Sequence, residues 1–236
     1  MNAVCNGLTS GSDTLIHNNQ RIPLHSNRSI YWITLVLLTV GFTLGDPQLL
    51  VIPLGLLLYL VRRPLRAALS HLPVFPAYVL SGTLLGLLVE TFAILNYLHN
   101  PQNSHLFNLN PLIDLSIALG FYCVTTIAIY LVARRIEFGN AGFLICSAIY
   151  AIVIEQQGTI LLSGLAKPLL APLIWLYVSI VYAVFTFGPY ALLKERLTER
   201  HPPRWWAYPL LLAAMWAAAF IGAFIGTGLS KLIPAQ

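Results

Sequence analysis

The sequence predicts an all-α integral membrane protein, a bundle of about seven transmembrane helices of which the first two form a short hairpin. Three observations carry this expectation. Apolar runs close to the roughly 20 residues that a membrane-spanning helix requires recur along the chain. The composition, 58% hydrophobic and 9% charged with a mean hydropathy of +0.76, is too apolar for a soluble domain. The 13 Lys and Arg fall in short clusters between the apolar runs, where topology signals are placed. The same clustering argues against nucleic acid as a partner despite a formal charge of +5, and leaves the lipid bilayer in that role.

In chain order, residues 1–29 are polar, rich in Asn and Ser, and read as a disordered cytoplasmic tail; the transmembrane bundle occupies 30–233. The first apolar run starts at Ile30 without a small-residue cleavage site after it, which fits a signal-anchor. From Ile30 to Val61 one helix would be about 48 Å long against a hydrocarbon core of about 30 Å. Gly45-Asp46-Pro47 supplies the break, because Pro lacks a donor and disfavours helix at the residue before it. Two short helices, 30–45 and 48–61, result. Five longer spans follow, near 76–98, 111–133, 140–163, 168–192 and 206–230.

With this division, every Lys and Arg except Lys167 and Lys231 falls on one side. The positive-inside rule then puts the N-terminus in the cytoplasm and the C-terminus on the opposite side. Reading 30–61 as one span would carry Arg21 and Arg28 across and weaken the asymmetry. Tyr31, Trp32, Trp205 and Trp206 come to lie at the cytoplasmic interface, where amphipathic rings are favoured. Ala214, Ala218, Gly222 and Gly226 recur every fourth residue, as do Gly41 with Gly45 and Gly82 with Gly86. Such stripes let helices approach closely, within the bundle or across a homodimer seam.

The candidate chemistry is acidic. Ile154-Glu155-Gln156-Gln157-Gly158 sets three polar residues inside an apolar run, and an intramembrane carboxylate costs roughly 2.5 kcal/mol or more. Counted along their spans, Glu90 and Glu155 both lie roughly 12 Å below the outer surface. Glu90 continues the Gly82, Gly86 stripe, and Glu155 shares a helical face with Ala148, Ala151, Gly158 and Thr159, so both are expected to point into the bundle. Two facing carboxyls can share a proton. Glu90 and Glu155 are therefore the candidate catalytic acids. Asp114, Asn96, Gln156 and Gln157 belong to the same outer half as candidate binding residues, and Lys167 is the nearest outer-side cation. The competing expectation is a structural hydrogen-bonded knot, Glu90 with Gln157 for example.

Other chemistries lack their parts. Cys5, Cys123 and Cys146 have no CxxC spacing. The six histidines lie in tails, loops or span ends, so no mid-membrane haem ligand is offered. No HExxH, P-loop, GxSxG or paired aspartate-rich motif occurs, and no cofactor or metal is implied. Three functions fit. The first is an enzyme or binding protein for a lipophilic, polyisoprenoid-like molecule, with a carboxylic acid as proton donor. The second is a proton- or cation-coupled transporter, and the third an accessory subunit of a membrane complex.

Overall fold

The computed structural model describes residues 25–43, 47–99, 106, 108–154, 158–197 and 201–231. Among these the fold is helical, with one isolated β-bridge between Ile136 and His201. The helices are α1 (His25–Thr43), α2 (Val51–Leu60), α3 (Arg62–Ser70), α4 (Val74–His99), α5 (Pro111–Ala133), α6 (Asn140–Ile149), α7 (Thr159–Ala166), α8 (Ala171–Leu193) and α9 (Ala207–Ser230).

Four of them are long and apolar enough to cross a membrane: α4, α5, α8 with the turn that continues it to Arg196, and α9. The apolar segments Ser29–Leu38, Val51–Leu60 and Asn140–Val153 are shorter, so among the described residues four helices have the length of a span, against an expectation of about seven of which the first two were short. Each shortfall has a local cause. In α2 the apolar run is bounded by the 3-10 turn Pro47–Leu50 and by Arg62-Arg63. The expected span 140–163 is not one helix: α6 passes into a π turn at Tyr150–Ile154, and α7 begins only after Gly158. Gly158 has φ +79°, a left-handed conformation that disfavours any residue with a Cβ.

Helix α1 begins at His25 and takes in residues assigned to the tail; residues 1–24 lie outside the described residues. It packs on α2 and on the Pro47–Leu50 turn, the arrangement expected of a hairpin whose tip, 44–46 with Asp46, lies outside the described residues. Helix α3 was not anticipated. It is amphipathic, with Leu65 and Leu69 packed on the core and Arg63 exposed.

The long helices are antiparallel neighbours joined by small-residue seams. Gly82 and Gly86 of α4 meet Thr126 and Tyr122 of α5, so a rising residue number on one helix meets a falling one on the other. On the far side of α5, Gly222 and Gly226 of α9 close on the backbone of Ile117, Gly120 and Phe121; a Cβ at Gly222 would stand 2.7 Å from the Gly120 carbonyl oxygen. The stripe on α9 thus packs on α5 of the same chain. Gly41 and Gly45 lie outside what is described of side chains. Helix α8 packs on α2, α4 and α6.

The basic clusters converge on one end. Arg66 of α3 pairs with Glu195 (2.9 Å) and donates to the Ala191 carbonyl (2.8 Å). Arg196 donates to the carbonyls of Leu69 (2.8 Å) and Leu72 (2.6 Å), and Lys194 Nζ to Asn140 Oδ1 (3.1 Å). Through these carbonyls the two arginines tie α3 and the turn after it to the end of α8. Residues 62–72, 134–140, 194–197 and 201–206 therefore share one end, and the start of α5, the α7–α8 turn and the end of α9 share the other.

Candidate functional site

Glu90 is the best-defined of the predicted site residues. It sits on the α4 stripe that begins at Gly82, is 6% exposed, and faces α5. Gly86 explains how it finds a partner. The Tyr122 ring occupies the place a Cβ at residue 86 would take, with its Cδ2 2.8 Å from that position. Tyr122 can then reach one turn further along α4, and its hydroxyl donates to Glu90 Oε2 at 2.8 Å. Tyr122 is thus one partner of the Glu90 carboxyl, and the expected facing acid, Glu155, lies outside the described residues.

The surroundings are apolar and aromatic. Tyr122 stacks edge-on with Phe185 (4.8 Å) and Phe121 (5.0 Å), Phe185 meets Tyr182 (5.4 Å), and Tyr182 meets Tyr150 (5.8 Å). This run of rings starts beside the Glu90 carboxyl, crosses α5 and α8, and ends at the π turn. Val51, Leu85 and Val89 complete the packing.

Asp114 is fully buried, but it has a local task. Asn110 caps α5 by accepting from Leu112 N (3.0 Å), with Pro111 in the first turn, while Asn108 N donates to Asp114 Oδ1 (2.9 Å). The carboxylate holds the loop before α5 against the helix. The antiparallel register set by Gly82 with Thr126 and Gly86 with Tyr122 puts Ile94 opposite Asp114, about 6 Å along the axis from Glu90.

Asn96 is buried on α4, yet six residues beyond Glu90 it lies roughly a third of a turn round the helix from it. Lys167 is exposed at the end of α7, its backbone N–H donating to Gly164 O (2.9 Å), and it forms no ion pair among the described residues. Glu155, Gln156 and Gln157 lie outside the described residues. The depth and face assigned to Glu155 assumed a helix unbroken from 140 to 163, and neither count carries across the π turn and Gly158. Among the described residues no group of three His, Cys, Asp or Glu side chains is placed to hold a metal ion.

Sequence reasoning missed Tyr122. Its signal was available: Asp114, Ala118, Tyr122 and Thr126 form a four-residue stripe on α5 of the kind that singled out Glu90 on α4. Comparison with known proteins adds nothing to these positions: no protein family, curated protein or solved structure matches the chain.

Proposed function

We propose that this membrane protein binds a lipophilic, polyisoprenoid-like molecule in its outer half and acts on it by proton transfer from Glu90, with Glu155 as the second acid. The observation that carries the reading is the buried Glu90–Tyr122 hydrogen bond set in a wall of aromatic rings. With the phenol donating to Oε2, a protonated Glu90 would carry its proton on Oε1. Protonation of a carbon–carbon double bond there would create a cation that ring faces stabilise, and return of a proton from a neighbouring carbon would complete an isomerisation or cyclisation with no redox partner. In this reading α1 with α2, and α6 with α7, complete about seven membrane segments, with the basic end cytoplasmic. The convergence of Arg66, Lys194 and Arg196 at that end supports the orientation.

A second reading, a proton- or cation-coupled transporter, is favoured by the broken helix. Gly158 and the π turn flank the polar residues 155–157, and discontinuous helices with polar groups at the break are how transporters build ion sites.

Solvent extracts of purified wild-type protein and of Glu90→Gln test the first reading. We expect an apolar molecule at near-stoichiometric amount in both, converted in the wild type and unconverted in the variant, with the variant purifying normally. Extracts holding only ordinary bilayer lipids in equal proportions would overturn it. Acidification of proteoliposomes driven by an added solute would favour the transporter.

A further inference from the structure

At the basic end, away from Glu90, a groove of about 590 Å³ opens between the end of α5 and the start of α9. Its walls differ in chemistry. Leu131, Val132, Ile136 and Leu210 make one side apolar, while Arg135, His201 and Arg204 bring cationic and hydrogen-bonding groups, with Trp206 beside them. The groove is held by backbone bonds: His201 N donates to Arg135 O and Glu137 N to His201 O, both at 2.9 Å, a parallel bridge that ties the α5–α6 connection to the segment before α9. Arg135 and Arg204 are exposed and form no ion pair among the described residues, unlike Arg66 at the same end. Leu131 and Leu210 are 46% and 44% exposed on helices long and apolar enough to cross a membrane, and Trp206 is of the residue type that settles at the headgroup level.

Two unpaired guanidinium groups above an apolar wall, at headgroup depth, complement one class of molecule. We propose that this groove binds one anionic phospholipid, its phosphate between Arg135 and Arg204 and its acyl chains over Leu131 and Leu210. Arginine suits the task because its planar fork meets phosphate oxygens in pairs, and basic pockets between transmembrane helices are where anionic headgroups are held. The site is independent of the Glu90 chemistry.

The full chain in detergent, titrated with phosphatidylglycerol or phosphatidylcholine of equal chain length and read by native mass spectrometry, tests this. Each arginine near the surface is worth roughly fivefold toward an anionic lipid, so a preference of about thirtyfold is expected. Arg135→Ala with Arg204→Ala should reduce it to near parity. Arg62→Ala with Arg63→Ala, which removes the same charge at the same end, should leave it unchanged, and excess inorganic phosphate should not displace the lipid. Should the double variant fail to fold, Arg135→Gln and Arg204→Gln singly should each lose about fivefold. Three outcomes overturn the proposal: a folded double variant that keeps the wild-type preference, an equal loss in the Arg62, Arg63 variant, or displacement by phosphate alone.

Discussion

Glu90 and Tyr122 illustrate what a buried polar pair contributes within a membrane bundle. Hydrogen bonds between transmembrane helices are worth less than the cost of burial suggests, about 0.6 kcal/mol on average. Tyr122→Phe removes the donor while the ring still fills the space beside Gly86, so a loss of about 1 kcal/mol is expected in reversible unfolding of the reconstituted protein. Gly86→Ala should cost more, about 1–3 kcal/mol, because its Cβ would collide with the Tyr122 ring and overpack the seam. The order of the two losses is the informative result; a larger loss for Tyr122→Phe would mean that the hydrogen bond and not the fit of the ring holds α4 to α5. The face of Glu90 was legible in the sequence because Gly82 and Gly86 marked the stripe. Its partner was not, because the register of α4 on α5 is set by how one glycine receives one ring, a tertiary fit that periodicity on either helix alone does not specify.

Among the elements, α4, α5, α8 and α9 lie close to the expected spans because an apolar run long enough to cross a bilayer admits few other structures. The break in the expected span 140–163 was hidden for the opposite reason. Tyr150-Ala-Ile-Val-Ile154 is as apolar and as helix-compatible as its neighbours, and a π turn leaves no compositional mark. Gly158 was read as one more small residue on a packing face, whereas its left-handed backbone separates α7 from what precedes it. Gly158→Ala should therefore destabilise the protein by about 1–2 kcal/mol, the cost of holding an L-residue in that conformation. The prediction is specific because, among the described residues, the nearest atom to an added Cβ is the Val153 carbonyl oxygen at 3.4 Å, an ordinary contact, so backbone strain and not a clash would be measured. Helix α3 escaped notice because Arg62, Arg63 and Arg66 read as a topology signal, and the Leu65, Leu69 pair that docks it was not weighed against them.

At the scale of the whole molecule, charge divides the bundle. One end gathers the arginines of α3, the α5–α6 connection and the segment after α8, together with the lipid-binding groove; the half beyond Glu90 carries the buried acids and the Asn108-Leu109-Asn110 turn. Buried apolar contacts hold the two halves together, Phe143, Tyr190 and Met215 in one cluster and Val51, Phe121 and Phe185 in the other. If the bundle crosses a membrane, these two ends face different compartments, and the proton chemistry proposed for Glu90 is reached from the side away from the arginines. Single cysteines placed at Ser70 on the basic end and at Leu109 on the other, both exposed, report this directly once Cys5, Cys123 and Cys146 are replaced by Ala. With a membrane-impermeant maleimide on intact cells, Leu109→Cys is expected to label at once and Ser70→Cys only after the membrane is opened; labelling of both from the same side, or of Ser70→Cys alone, would contradict the account.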